Sequence, residues 1–478
     1  MLFNSTQFFL FILIVYGLYL ILSHRWQNRM LLAASCIFYG AWDVRFLLLM
    51  FISITADYLC GPRIYYAKDR QTAKLFLSIA LTVNLVILLF FKYCNFFVSN
   101  LTSLLSYCGL TVNPYTLDIV LPIGISFYTF QAMSYSFDLY RREVIPPARY
   151  LDYALFVTYF PQLVAGPIMK ARDLLPQVLK ERTVTVEKFK EGCFWILWGF
   201  FQKVYVADNL AGIVEPVFSA TSPRDGLTVL LAVYAFAFQI YCDFAGYSNI
   251  AKGLGKIMGF DIITNFNLPY FATNPVEFWK RWHISLSSWL RDYLYIPLGG
   301  NRQGRLRMFR NLGLTMLIGG LWHGASWTFV LWGAYQGALL IAYRAGEPLW
   351  HKFRSLTGRL SLPSGLLYAA KLFFFFHLIC LGWLVFRAQS FEQIFVMLRS
   401  ILTGFLPVNQ QAAWQTAAAI LQFTWFLVLI EIMQYHLDDL KFILRQSPLV
   451  KAGFSYICFL LLIFYGAEGT RQFIYFQF

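Results

Sequence analysis

Charge is scarce in this 478-residue chain. Asp, Glu, Lys and Arg make up 13% of it, about half of the roughly 25% carried by a soluble domain. Negative charge is the scarcer sign, with 24 Asp and Glu against 39 Lys and Arg and a net charge of +15. A soluble fold that is 59% hydrophobic and 19% aromatic would expose apolar patches large enough to aggregate. Lipid is the solvent that tolerates such a surface. The positive excess is scattered through short loops between apolar runs, which is the pattern of the positive-inside rule and not the continuous basic face of a nucleic-acid binder. No nucleic-acid partner is expected.

Further absences narrow the chemistry. There are eight Cys and no CxxC pair. Most lie in apolar runs, where a thiol behaves as a small hydrophobe, so neither a disulfide framework nor a zinc site is expected. HxxxH and HExxH spacings are missing, and no metal site is expected. No GxGxxG follows a strand pattern, no Walker loop occurs, and no Ser sits in a GxSxG elbow. No internal repeat is visible, and no soluble domain separates out. The start, MLFNSTQFFLFILIVYGLYLILS, lacks a basic leader and a small-residue cleavage site. It reads as a retained first span and not a signal peptide.

Long hydrophobic runs dominate what is present. A bilayer core needs about 20 apolar residues per helix. Candidate spans lie near 5–23, 30–42, 44–60, 74–92, 94–110, 119–138, 150–166, 190–212, 226–250, 311–342, 366–387, 412–434 and 451–467. The runs 30–42 and 44–60 read as a hairpin. Pro122, Gly124, Pro161 and Gly166 make 119–138 and 150–166 candidates for broken or re-entrant helices. The expectation is an all-α polytopic membrane protein of roughly 11 transmembrane helices with re-entrant and interfacial helices, in contact with the lipid bilayer. Basic clusters at 24–29, 61–74, 141–149, 170–190, 280–310 and 344–359 predict cytoplasmic loops, which leaves the N-terminus and the stretches 111–119 and 214–225 outside.

The one long polar stretch, 251–310, contains NPVEFWKRWHISLSSWLRDYLYIPLGG at 274–300. Asn274 can cap a helix, Pro275 suits its first position and Glu277 completes the start. Trp279, His283, Leu286 and Leu290 then fall on one helical face, among Lys280, Arg281, Arg291 and Asp292. The segment is too charged to span and too aromatic to float in water. It predicts an amphipathic helix that lies at the cytoplasmic interface or dips into the bundle. His283 is a reactive group on that face or a structural hydrogen-bond donor.

The next run, NLGLTMLIGGLWHGASWTFVLWGAYQGALL at 311–340, is almost uncharged, with His323 near its middle. A titratable group at that depth is costly and marks a functional position, or else a core histidine bonded to a carbonyl. Gly319, Gly320 and Gly324 remove bulk around it, which lets a helix or a thin substrate approach, and Trp327 shares its face one turn on. Two histidines about 40 residues apart suit acyl transfer. A neutral imidazole can accept the proton of an attacking hydroxyl, and a second can help hold the oxyanion. The string QIYCDFAGYSNIAKGLG gathers Asp243, Tyr247, Ser248 and Asn249 into one polar patch, which either serves the site or fixes helix packing. His24, His351, His377 and His436 read as loop or core residues. Two other classes stay open on pattern alone: a transporter or flippase, which broken helices and intramembrane charges would also serve, and a non-catalytic scaffold subunit of a polysaccharide-modifying complex.

At these residues the chain resembles the membrane-bound O-acyltransferase (MBOAT) family. The matching strings include SFYTFQAMSYSFDLYR (126–141), YFPQLVAGPI (159–168), IYCDFAGYSNIAKGLGKIMGF (240–260), FWKRWHISLSSWLRDYLYIPLGG (278–300) and GLWHGASW (320–327). The resemblance is to the bacterial branch typified by the membrane subunit of alginate O-acetylation, with the D-alanyl transfer subunit of teichoic-acid modification as a further relative. It implies one transmembrane domain over 1–478 that forms a ring of helices around a central funnel or tunnel, with 251–310 as a re-entrant or interfacial segment on the cytoplasmic side. It places the catalytic base on His323 and the second family position on His283. Trp279, Lys280, Arg281, Trp282, Trp322, Ser326, Asp243 and Tyr247 are the candidates for lining the tunnel or binding the donor. The implied donor is a cytoplasmic thioester, either acetyl-CoA or the phosphopantetheine thioester of an acyl carrier, used as substrate with no bound cofactor. The implied acceptor is an extracytoplasmic polysaccharide, reached with a periplasmic SGNH-like acetyltransferase or a polysaccharide-synthesis complex. The implied location is the bacterial inner membrane.

Overall fold

The computed structural model describes residues 1–110, 117–220, 224–356, 363–469 and 471–474, with only the backbone for 349–356. The expected outer loops 111–119 and 214–225 fall partly outside the described residues, as do the His351 side chain and the end of the 344–359 basic cluster. Among the described residues the chain is all helix and turn, with no strand. Six described helices are long and apolar enough to cross a bilayer: Arg45–Tyr65, Arg70–Tyr107, Gly226–Ile257, Ser364–Arg387, Gln410–Leu437 and Pro448–Tyr465. Thr6–Ile21 is apolar but shorter. The chain is a multi-pass membrane protein. Its contacts divide it into two compact units: Met1–Ile196 with Ile250–Ile263, and Leu197–Asn249 with Thr264–Gln477.

In the first unit, helices His24–Gly40 and Arg45–Tyr65 are joined by a short turn, as the hairpin reading predicts. The expected separate spans 74–92 and 94–110 are instead one helix, interrupted only by a π turn at Leu89–Tyr93. Nothing between Lys74 and Cys108 can break it, since that stretch holds neither Gly nor Pro. The two Pro- and Gly-bearing runs are broken, as expected. One starts as a helix only at Ile125, after Gly124 in the left-handed region (φ 77°). A Cβ at Gly124 would come within 2.9 Å of the Leu163 carbonyl oxygen, so only glycine fits there. The other breaks at Tyr159, between Tyr150–Thr158 and Phe160–Leu163.

The core of this unit holds a fully buried carboxylate, Asp57. It accepts from the Asn84 amide at 3.0 and 3.1 Å, the Ser136 hydroxyl at 3.2 Å and the Tyr153 hydroxyl at 3.3 Å. Donors from three other helices so satisfy a charge that would otherwise be very costly to bury.

The second unit holds Asp243, on the helix that starts at Gly226. That carboxylate meets Lys203 at 2.5 Å and accepts the Ile474 N–H at 2.7 Å. Lys203 also reaches Asp208 at 2.8 Å, and all three charged side chains are buried.

Candidate active site

The segment after Thr273 starts as the sequence predicts. The Asn274 side chain accepts from the Glu277 N–H at 2.9 Å, and Glu277 reaches back to the Thr273 N–H at 3.1 Å. The predicted single amphipathic helix does not continue. Helix Pro275–Arg281 stops, Trp282 is extended, and His283 sits in the left-handed region (φ 42°, ψ 54°) before helix Ile284–Leu290 and a π turn at Arg291–Tyr295. The periodicity of 279, 283, 286 and 290 reads as one face only if the backbone between them is regular, and it is not.

The break is held by residues 265–267, which run across it. The Asn267 N–H donates to the Arg281 carbonyl at 2.9 Å, and the Ile284 N–H donates to the Asn265 carbonyl at 2.9 Å. The Asn265 side-chain oxygen accepts from the Ser285 N–H at 3.1 Å and its hydroxyl at 2.9 Å. Its amide donates to Ser248 at 3.0 Å. Groups that a helix end leaves unsatisfied are thus served from outside both helices. A non-glycine residue at positive φ costs on the order of 1–3 kcal/mol, and these bonds offset it.

The segment is not a surface helix: Phe278, Trp282, His283 and Ser285 are buried. Burial alone pushes the His283 imidazole well below its usual range. The ring is therefore neutral at physiological pH, the form that accepts a proton or donates a hydrogen bond without carrying charge.

His323 differs from expectation in a similar way. It is the last residue of helix Arg305–His323, and the chain turns through Gly324–Ser326 into helix Trp327–Leu356. The run 311–340 is therefore a helical hairpin and not one span. Trp327 does not share the histidine's face; it opens the second helix and is exposed. The glycines serve helix against helix. A Cβ on Gly320 would come within 2.3 Å of the Phe329 carbonyl oxygen, one on Gly333 within 2.5 Å of the Met316 carbonyl oxygen, and one on Gly324 within 2.2 Å of the Phe329 ring. The returning helix fills the space that the sequence leaves open to a substrate.

The two imidazoles come together across one indole. The Trp322 ring lies 5.7 Å from His283 and 5.0 Å from His323, centroid to centroid. His323 also packs edge-on to Trp332 at 5.0 Å and Phe386 at 5.3 Å. His283 packs against Phe244 at 4.5 Å. Both imidazoles are buried, so two groups able to move protons share one aromatic cluster, shielded from solvent.

The other predicted residues divide. Trp282 is buried 4.7 Å from the Trp383 ring, and Trp279 lies 6.0 Å from Trp332, so both join the aromatic wall. Ser326 sits in the turn after His323 and shares a hydrogen bond with Thr328 at 3.0 Å. Lys280 is exposed. Arg281 is bound to Glu277 at 3.0 Å and to the Asn267 carbonyl at 3.2 Å. Asp243 and Tyr247, four residues apart, share a helix face, while Ser248 and Asn249 turn away from it, because a helix turns about 100° per residue. Asp243 faces Lys203, Tyr247 packs on Phe473 at 5.3 Å, Ser248 meets Asn265, and Asn249 meets Gln202 at 2.7 Å. Sequence reasoning misses Asn265, Trp332 and Phe386. The one signal for Asn265 is its amide, two residues before that of Asn267, in the apolar string NFNLPYF.

Comparison with known proteins gives this geometry a family. The model of the MBOAT, membrane-bound O-acyltransferase family matches residues 71–385, which include both histidines. The chain is 43% identical over 395 residues to the probable alginate O-acetylase AlgI of Azotobacter vinelandii, covering 82% of this chain and 76% of that protein. It is 40% identical over 478 residues to the probable alginate O-acetylase AlgI of Pseudomonas aeruginosa, covering 99% and 82%. It is 34% identical over 435 residues to the peptidoglycan O-acetyltransferase of Helicobacter pylori, covering 84% and 80%. A buried histidine pair in a multi-pass helical chain thus coincides with a family match over most of its length, and the protein belongs to the membrane-bound O-acyltransferases.

Proposed function

We propose that this enzyme moves acetyl groups from a cytoplasmic thioester, acetyl-CoA or an acyl carrier, toward an extracytoplasmic polysaccharide. His323 is the general base. It accepts the proton of an attacking hydroxyl as the new C–O bond forms at the thioester carbonyl. The C–S bond then breaks, and the thiolate leaves as the thiol when the proton is returned. His283 positions the reacting groups across Trp322, and Trp279 and Trp282 line the path. In this reading 251–310 is the cytoplasmic-side segment, the enzyme sits in the bacterial inner membrane with its N-terminus outside, and a periplasmic SGNH-like acetyltransferase or a synthase complex receives the acetyl group.

The observation that carries the reading is the shared contact of two buried imidazoles with one indole. A thioester is consumed by water, so a dry chamber protects it, while a bulky charged donor stays on its own side of the bilayer. The relatives named for O-acetylation of alginate and peptidoglycan supply the acyl group and the acceptor class. The test is a His323→Ala variant that inserts normally. Polysaccharide acetylation is expected to fall by at least about a hundredfold, the scale of a lost general base. Wild-type acetylation in such cells refutes the assignment.

A further inference from the structure

We propose that Asn265 is a positioning residue for the acyl transfer, acting through His283; this rests on the reading above, in which His283 takes part. The case starts from what the backbone at His283 needs. Ending one helix and starting another within two residues leaves carbonyls on one side and N–H groups on the other without helical partners. Helix Ile284–Leu290 has no cap from its own N-cap side chain, His283. Asn265 supplies that cap from another part of the chain. Its carbonyl takes the Ile284 N–H and its side-chain oxygen takes the Ser285 N–H, the two donors directly after His283.

The remaining bonds hold the amide in place. An Asn side chain can flip, and flipping this one would present N–H groups to the Ser285 N–H. The Asn265 amide donates to Ser248, and the Ser285 hydroxyl donates to the side-chain oxygen. The Ser285 N–H can only donate, so it fixes the orientation that caps, and the two hydroxyls, able to donate or accept, complete it. Asn265 and Ser285 are fully or almost fully buried, so water does not compete. Ser248 lies one turn beyond Phe244, whose ring packs on His283. The same helix therefore fixes the imidazole on one side and the clamp on the other. With Asn265 removed, the left-handed backbone at His283 loses its compensation, and the ring drifts from Trp322.

The experiment uses the full chain in membrane vesicles with acetyl-CoA labelled in the acetyl group, comparing Asn265→Ala, Ser248→Ala, His283→Asn and the double variant Asn265→Ala/His283→Asn. Asn265→Ala is expected to lower kcat about tenfold or more with KM for the donor within about twofold, as misplacement of a reacting group does. Diethyl pyrocarbonate labelling of His283, read by mass spectrometry, should rise in Asn265→Ala. The double variant should be no slower than His283→Asn alone, because both changes act through one group. Should Asn265→Ala not insert, Ser248→Ala still tests the clamp, with an expected loss of about two- to fivefold in kcat at unchanged KM. Wild-type kcat in Asn265→Ala, or a full additive loss in the double variant, overturns the proposal. Where only Ser248→Ala inserts, wild-type kcat in it does the same. A fully active His283→Asn instead removes the role of His283 itself, a separate failure.

Discussion

The chain leaves its helix at both histidines, but by different means. At His283 the two helix ends are capped by amide and carbonyl groups of residues 265–267, and the imidazole occupies the left-handed residue itself. At His323 the turn is shaped by volume: glycines at 320, 324 and 333 let a second helix lie against the first. One break is specified by hydrogen bonds and the other by the absence of side chains. A bonded break holds a backbone angle, and a packed break holds a distance between helices. An enzyme that must set two imidazoles against one indole uses both.

That contrast can be tested at three levels. The largest effect is expected where the two breaks meet. Trp322→Ala removes the ring both histidines touch and leaves a cavity, for a loss of about 3–5 kcal/mol, read as a lowered midpoint of thermal unfolding in detergent. Acyl transfer should fall with it by about a hundredfold. A Trp322→Ala variant with normal transfer would separate the two histidines functionally. The next effect belongs to the packed break. Gly320→Ala forces a methyl against the Phe329 carbonyl, a destabilisation of about 1–3 kcal/mol, and should disturb His323 without altering the labelling of His283. Equal disturbance of both would mean that the breaks are not independent.

The smallest effect belongs to the bonded break and is read through pH. Burial depresses the His283 imidazole, so the unfolded chain takes up a proton at a higher pH than the folded one. Stability is then highest above the ordinary histidine range and falls as pH drops through about 6.5, by up to about 1.4 kcal/mol per unit. Unfolding measured at stepwise lower pH should show that slope in the wild type. His283→Asn should flatten it, and an unchanged slope would place the titrating group elsewhere.

Much of this can be read from composition and motif. Low charge and long apolar runs predict an all-helical membrane chain, and the helix start at Asn274 follows from its capping pattern. Both histidines and the adjoining tryptophans stand out as polar or amphipathic groups in apolar runs. What escapes is the interruptions at the two histidines. Hydrophobic periodicity assumes a regular backbone, so it draws one helix through His283 and one span through His323. The bonds that break the helix at His283 come from Asn265, distant in sequence. At His323 the returning helix reads as a continuation of the same apolar run. The same limit splits Arg70–Tyr107 in two, since Lys92 interrupts hydropathy without interrupting the helix. Asn265 carries no signal beyond its own polarity, because its partners are two backbone N–H groups and two serine hydroxyls, none of which sequence marks as its own.

The long helix Arg70–Tyr107, which runs on through its π turn, has a mechanical consequence. Its 38 residues extend about 57 Å at 1.5 Å each, nearly twice the ~30 Å depth of the hydrocarbon layer. Even the steepest tilts common among spanning helices, about 40°, would leave it too long to be hidden. Part of this rod therefore reaches beyond the hydrocarbon, as a stiff post rooted in the membrane.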